Sequence, residues 1–152
     1  AISLKAISAI KLHDIYKRYG MPNDMLVKLN MAYCTIREIP IKPVYRIGEK
    51  SKMNVFKVIP KISFLLFKSF FKRLWVKYFF RDFHPLFLLY HLSFILGILW
   101  LPYLYRISVI LIRGQNASFE TLFAFTFLGV TSIQFLLFAM WMDIQDNERL
   151  YK

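Results

Sequence analysis

The sequence predicts a chain in three parts: a mixed α/β segment at residues 1–53, basic aromatic interfacial helices at 54–82, and a transmembrane helical hairpin at 83–152. Three observations carry this prediction. The hydrophobic fraction is 57%, above the roughly 45–50% of soluble domains. Residues 1–82 hold 17 Lys and Arg against 5 Asp and Glu, whereas the remainder holds four of each. Two long stretches of that remainder carry no charge. Such a division is typical of a cytoplasmic-side domain followed by a membrane anchor.

The first part combines helical and extended patterns. A Pro-Asn-Asp triplet at 22–24 opens a helix whose apolar residues recur at helical spacing as far as residue 33. The stretch 34–45, CTIREIPIKPVY, alternates and is rich in β-branched residues, which predicts a strand. Its two prolines confine that strand to a sheet edge or a strand end. A basic loop, RIGEKSK at 46–52, follows it.

The second part is a run of cations and aromatic residues. At about 100° per residue, its cations form two groups on nearly opposite sides of a helix: Lys57, Lys61, Lys68 and Lys72, and then Arg73, Lys77 and Arg81. One straight helix would therefore be basic on two sides. Two shorter helices with a bend near 72–76, the first with Pro60 in its first turn, would each turn an aromatic face to lipid and cations to the headgroups.

The third part contains two uncharged runs, at residues 85–105 and 121–142. The first run, at 1.5 Å per residue, spans about 31 Å, the thickness of the hydrocarbon core. Both runs predict transmembrane helices, with Asp82 and Pro85 capping and opening the first. Because cations are in excess before the first span, we expect an integral protein of the cell membrane with both termini cytoplasmic. Gln134, in mid-span, is expected to bond across the hairpin.

The basic loop is the first candidate for chemistry. Guanidinium, ammonium, hydroxyl and free backbone N–H groups bind phosphates, and here they surround one glycine as Arg46, Lys50, Ser51 and Lys52. The alternative is a solvated basic turn that touches anionic lipid headgroups and needs no substrate.

Asn23 and Asp24 are the second candidate, at the start of a predicted helix. They either cap that helix or direct a carboxylate into a cleft as a base or hydrogen-bond acceptor. With one cysteine, no Asp-x-Asp pair and no glycine-rich phosphate loop, the sequence predicts no metal site in this chain. The cations could follow a nucleic acid, but the two uncharged spans argue against that class.

Four blocks in order, RYGMPNDMLVKLN, IREIPIKPVYRIGEKSKM, VIPKISFLLFKSFFKRLWVKYFFRDFHPL and FLLFAMWMDIQDN, resemble the C-terminal part of a membrane-anchored family-2 glycosyltransferase. The nearest type is the polyprenyl-phosphate enzyme similar to dolichyl-phosphate mannose synthase. The resemblance implies that residues 1–53 are the C-terminal remnant of a GT-A domain, a Rossmann-like α/β fold. It also implies that the nucleotide-sugar and its Mg or Mn ion belong to a missing N-terminal part, so this chain holds no cofactor.

The resemblance further implies roles for individual residues. Asn23 and Asp24 match the family's acidic acceptor-side motif, and Arg46, Ser51 and Lys52 match its phosphate-contacting loop. We therefore expect transfer of a sugar from a nucleotide-sugar to a polyprenyl phosphate. In that reaction Asp24 is the catalytic candidate, and Asn23 and the basic loop bind the acceptor phosphate. The alternative is a non-catalytic anchoring subunit for a separate catalytic chain. No nucleic-acid partner is expected, and a homo-oligomer is left open.

Overall fold

The structure, a computed structural model, describes residues 2–42 and 55–151. The chain divides into two compact units, one formed by Ala1–Arg81 with Asn147–Lys152 and the other by Asp82–Asp146. Helices account for 77% of the described residues, and none of these residues belongs to a strand or sheet. The predicted α/β remnant of a Rossmann-like GT-A domain is therefore wrong for the part of the chain that the structure covers.

The first unit is built from short helical elements that lead to one long helix. Helix α1, Leu4–Ser8, begins where the Ser3 hydroxyl accepts a hydrogen bond from the amide of Ala6. Two 3₁₀ turns, Leu12–Asp14 and Arg18–Gly20, lead into α2, Met21–Met31, which confirms the helix predicted from the Pro-Asn-Asp triplet. A Cβ atom on Gly20 would lie 2.5 Å from Leu65 Cδ2 and 2.8 Å from the Tyr16 ring, so the absence of a side chain lets both residues pack against the start of α2.

The strand predicted at 34–45 does not form within residues 34–42. Ile36 makes one isolated parallel bridge with Tyr151, in which its amide donates to the carbonyl of Leu150 at 2.7 Å. Ile39 and Ile41, which share one side of the alternating pattern, are 72% and 83% exposed. The pattern has no described apolar surface to pack against, and Pro40 has no N–H to extend a ladder.

Helix α3, Val55–Trp75, continues directly into a π-helical segment, Val76–Arg81, instead of breaking into two α-helices. Pro60 lies inside α3 and not in its first turn. Residues five apart stand about 140° apart on an α-helix, but they lie much closer together around a π-helix, whose hydrogen bonds span five residues. Lys72, Val76 and Arg81 accordingly border the same cavity. The π segment thereby turns Arg81 to the side of Lys72, although the straight-helix pattern put the two on opposite sides.

The second unit contains α4, Pro85–Ile112, and most of α5, Phe119–Glu148. Their most apolar stretches have mean hydropathies of 1.9 and 2.0, and only 0% and 11% of these stretches is buried. A core helix of a soluble protein would be mostly covered. The chain thus has two helices that are long and apolar enough to cross a bilayer, which indicates association with a membrane.

Polar and small residues join α4 to α5. The hydroxyls of Ser93 and Ser132 each donate to the other residue's carbonyl oxygen, at 2.8 and 2.9 Å. The indole N–H of Trp100 donates to the carbonyl of Phe125 at 2.9 Å, beside Gly129. The close approach of the two helices at small residues follows the usual packing of helices in membranes.

Two details of the hairpin differ from the prediction. The side chain of His84, and not that of Asp82, caps α4, since its Nδ1 accepts from the amide of Leu86 at 3.3 Å. Pro85 occupies the first helical turn as predicted. Gln134 does not bond across the hairpin: its side chain is exposed, because it stands about 160° around α5 from Ser132, which faces α4.

Candidate functional site

Asp24 lies in the first turn of α2, where it is buried and joins three parts of the first unit. Its Oδ2 accepts from Lys28 Nζ at 2.7 Å, one helical turn further on, and from the backbone amide of Tyr16 at 2.8 Å. The Lys28 ammonium also donates to the carbonyl oxygen of Asp14. The carboxylate therefore ties the 3₁₀ turns to α2 and holds the Lys28 ammonium in one position. It does not cap α2, whose N-cap is Gly20.

The charge state of Asp24 follows from these contacts. Burial raises the pKa of the carboxyl group, but the hydrogen bonds from Lys28 and Tyr16 and the positive charges of Lys28 and Lys72 lower it more. The pKa of Asp24 thus lies below its ordinary value of 3.8. The group is a carboxylate at neutral pH and a weaker proton acceptor than a free aspartate.

A cavity of about 370 Å³ lies between the N-terminal segment, α2 and the end of α3. Its lining includes four cations and one carboxylate: Lys11, Lys28, Lys72, Arg81 and Asp14. We call this feature the cationic cavity. Lys11 and Lys72 are exposed, and their ammonium groups have no hydrogen-bond or ion-pair partner among the residues the structure describes. Arg81 reaches the cavity because of the π segment. An anion with several acceptor oxygens, such as a phosphate, matches this arrangement.

Arg81 is held in place by the C-terminal end of α2. Its guanidinium donates to the carbonyl oxygen of Met31 at 2.8 Å and lies 4.8 Å from the ring centroid of Tyr33. Tyr33 has φ +55°, a left-handed conformation usually taken by glycine. The amides of Tyr33 and Cys34 donate to the carbonyls of Asn30 and Leu29, which is the Schellman pattern. The strained residue thus directs a ring toward Arg81.

A buried polar network lies next to these residues. Asn147 Oδ1 accepts from Lys77 Nζ and from Asn30 Nδ2, both at 2.8 Å, and Asn147 Nδ2 donates to the Tyr78 hydroxyl at 3.1 Å. Lys77 is fully buried. Because the ammonium can only donate, it fixes the orientation of the Asn147 amide and, through it, that of Asn30. Asn30 Oδ1 is left as a buried acceptor without a partner in the described part of the chain.

The residues predicted to form the site are only partly brought together. Asp24 belongs to the group that positions Lys28 at the cationic cavity, whereas Asn23, beside it, is half-buried and makes no side-chain hydrogen bond to a described residue. The phosphate-binding candidates of the basic loop lie outside the described residues: Arg46, Lys50, Ser51 and Lys52. Within residues 2–42 and 55–151 no group of three or more His, Cys, Asp or Glu side chains is placed to bind a metal ion.

Sequence reasoning missed the cationic cavity and the buried network. The sequence patterns single out Lys72 and Arg81 but not Lys11 or Lys28, and the π segment that brings Lys72 and Arg81 together has no signal in a periodicity based on 100° per residue. The amides of Asn30 and Asn147 meet although they are 117 residues apart. No short-range pattern reports such a contact.

Comparison with known proteins adds no relative. No protein-family model, no curated protein and no solved structure matches the chain.

Proposed function

We propose that the protein binds the phosphate group of a membrane lipid in its cationic cavity and is the membrane-anchored part of a glycosyltransferase. The reaction is transfer of a sugar from a nucleotide-sugar to a polyprenyl phosphate. The observation that supports the proposal is the cationic cavity, with four cations against one carboxylate in about 370 Å³. A phosphate on a long isoprenoid chain needs cations for its headgroup and hydrocarbon for its tail. The chain offers cations at the cavity and two apolar helices.

The sugar-transfer step rests on the sequence resemblance, which implies that an N-terminal domain binds the nucleotide-sugar and its divalent metal. An acceptor phosphate is already anionic, so it needs no strong base to become a nucleophile. Positioning and charge stabilisation then dominate the chemistry of this chain. Asp24 acts through Lys28, and the basic loop with Arg46, Lys50, Ser51 and Lys52 adds cations to the same anion. The protein lies in the cell membrane with both termini in the cytoplasm, as its cation distribution favours.

Lipid binding is the direct test. The full chain in phosphatidylcholine nanodiscs is given either a polyprenyl phosphate or the uncharged polyprenol of equal length, and native mass spectrometry counts the lipid adducts. The proposal predicts a clear preference for the phosphate. Lys72→Gln removes one unpartnered ammonium at the cavity, and we expect affinity for the phosphate form to fall about fivefold, since one such charge is worth about 1 kcal/mol.

Lys68→Gln is the matched control. Lys68 is an exposed lysine one turn before Lys72 on α3 and does not line the cavity. Equal losses for the two variants would mean that the protein attracts anionic lipids through its overall charge alone. Equal adducts with phosphate and alcohol would favour the anchoring-subunit alternative. In a parent enzyme that contains this chain, Arg46→Ala should reduce sugar transfer by about tenfold, the effect of losing one charge-stabilising contact.

A further inference from the structure

The outer face of α5 carries a regular apolar seam. Its positions alternate at spacings of four and three residues: Phe123, Phe127, Val130, Gln134, Leu137 and Trp141. This 4–3 alternation is the heptad pattern by which one helix packs along another. All six side chains are exposed, and the five apolar ones are between 56% and 61% exposed. We call this set the α5 seam.

Gln134 is the polar position at the middle of the α5 seam. It lies within about 4 Å of the centre of the uncharged run 121–142, at 1.5 Å per residue. Its amide makes no hydrogen bond to a described residue, and it borders a groove of about 430 Å³ with Val130, Ile133, Leu137 and Phe138. In hydrocarbon an amide without a partner is unfavourable by several kcal/mol, because no water is present to bond with it.

The opposite face of α5 is already occupied by α4. Ser132 bonds reciprocally with Ser93, and Gly129 receives the Trp100 ring. Ala139 is completely buried on this face. The hairpin therefore provides a partner for the Ser132 hydroxyl, which faces α4, and none for the Gln134 amide, which faces outward, among the described residues.

We propose that the α5 seam is the interface of a parallel homodimer in the membrane, with the two Gln134 amides bonded to each other. A second copy brings the same amide to the same depth. An amide has both donor and acceptor groups, so a two-fold axis beside Gln134 gives each copy one N–H···O bond in each direction. A lipid tail has no group that can bond to the amide. A single polar position within an otherwise apolar seam also fixes the register and number of helices. This inference goes beyond the proposed function and requires only that α5 lies in a bilayer.

The experiment measures the dimer dissociation constant of the purified full chain in liposomes by single-molecule photobleaching at several protein-to-lipid ratios. We expect Gln134→Leu to raise this constant about five- to tenfold, the effect of losing two hydrogen bonds between helices. Gln134→Asn keeps the amide and should stay within threefold of wild type. Gln145→Leu is the matched control, because Gln145 is exposed on the same face of α5 but beyond the uncharged run, where water bonds with its amide.

Disulfide cross-linking supplies a second measurement that does not depend on the Leu variant folding. The chain has one cysteine, so Cys34→Ser gives a background without thiols. Single cysteines at Val130 and Leu137 should cross-link readily between copies. A cysteine at Met140, which is exposed but about 120° around the helix from Gln134, should cross-link poorly. A monomer at every density, an unchanged constant for Gln134→Leu, or efficient cross-linking at Met140 would overturn the proposal.

Discussion

The ion pair between Asp24 and Lys28 provides the sharpest test of how the cationic cavity is organised. The Oδ2 and Nζ atoms are 2.7 Å apart, and each side chain is only 11% exposed. Asp24→Asn keeps the size of the side chain and one acceptor oxygen for the Tyr16 amide but removes the charge. Lys28→Met keeps most of the side-chain length and removes the ammonium. The double variant completes a thermodynamic cycle that isolates the pair.

The expected magnitude follows from burial. Breaking a buried ion pair by removing one partner typically destabilises a protein by about 3–5 kcal/mol. Here the Lys28 ammonium keeps the Asp14 carbonyl as a partner, and the asparagine keeps the bond from Tyr16. We therefore expect Asp24→Asn to lower the free energy of unfolding of the first unit by about 2–3 kcal/mol, below that range. The double variant should be less destabilised than the sum of the single variants by about 1–2 kcal/mol.

The assay uses Cys34, which is half-buried three residues after α2 ends and is the chain's one cysteine. Its rate of reaction with a maleimide at neutral pH, measured against denaturant concentration in micelles, reports the opening of the first unit without interference from the hairpin. Free energies for the wild type, both single variants and the double variant then give the coupling. Lys68→Met serves as a control, because Lys68 is an exposed lysine that lines no part of the cavity.

The pH dependence of stability tests the same ion pair independently. Because the folded pKa of Asp24 is below 3.8, its ionisation stabilises the fold above that pH, and this contribution is lost as the pH falls through the folded pKa. Pepsin cleavage of the wild type should therefore accelerate relative to Asp24→Asn as the pH is lowered below about 4. Comparing both proteins at each pH cancels the protease's own pH dependence. A coupling energy below about 0.5 kcal/mol, which is typical of an exposed ion pair, would refute the reasoning. So would a ratio of wild-type to variant cleavage rates that does not change with pH.

Three further predictions concern packing and polar contacts. Asn147→Leu should destabilise the first unit by about 2–3 kcal/mol, because it leaves the buried Lys77 without that acceptor, whereas Asn147→Asp should be milder; the Cys34 labelling assay measures both. Gly129→Ala should destabilise the hairpin by about 1–2 kcal/mol, since the new Cβ would lie 2.8 Å from Trp100 Nε1; thermal unfolding followed by the near-ultraviolet circular dichroism of the tryptophans measures this loss. Tyr33→Gly should be about 1 kcal/mol more stable than Tyr33→Ala, because only glycine relieves the positive φ; equal stabilities would locate the strain elsewhere.

The sequence predicts the long helices well because their signals are local. The uncharged runs at 85–105 and 121–142 lie inside α4 and α5, and Pro22 marks the start of α2. The strand predicted at 34–45 is wrong within residues 34–42, because alternation indicates a strand only where another strand pairs with it and an apolar surface covers it. Ile39 and Ile41 have neither among the described residues. The alternating pattern at 34–45 predicted a strand and the family resemblance extended it to a Rossmann-like sheet, but the described residues form no sheet in which such a strand could pair.

The residues predicted for the site are not those that line the cationic cavity. The sequence marked Asp24 as a site candidate and Lys72 and Arg81 as interfacial cations, but the grouping of these cations with Lys11 and Lys28 depends on the π segment and on contacts between distant segments. For Gln134, too, the sequence identifies the residue but not its surroundings. A polar residue in mid-span predicts a partner, but only the rotation of α5 shows that this partner is not α4.

The contacts of Asp24 fit a positioning role better than that of a general base. A general base works best when its pKa approaches the operating pH, yet the contacts of Asp24 move its pKa in the opposite direction. Its Oδ2 is also occupied by Lys28 and Tyr16, so accepting a proton would weaken both bonds. An anionic acceptor needs cations in fixed positions more than it needs a base. The Asp24 carboxylate meets this need because it holds the Lys28 ammonium in place at the cavity. Asp24→Asn should then weaken binding of a polyprenyl phosphate without shifting the pH at which any transfer reaction is half-maximal, whereas a base would shift that pH.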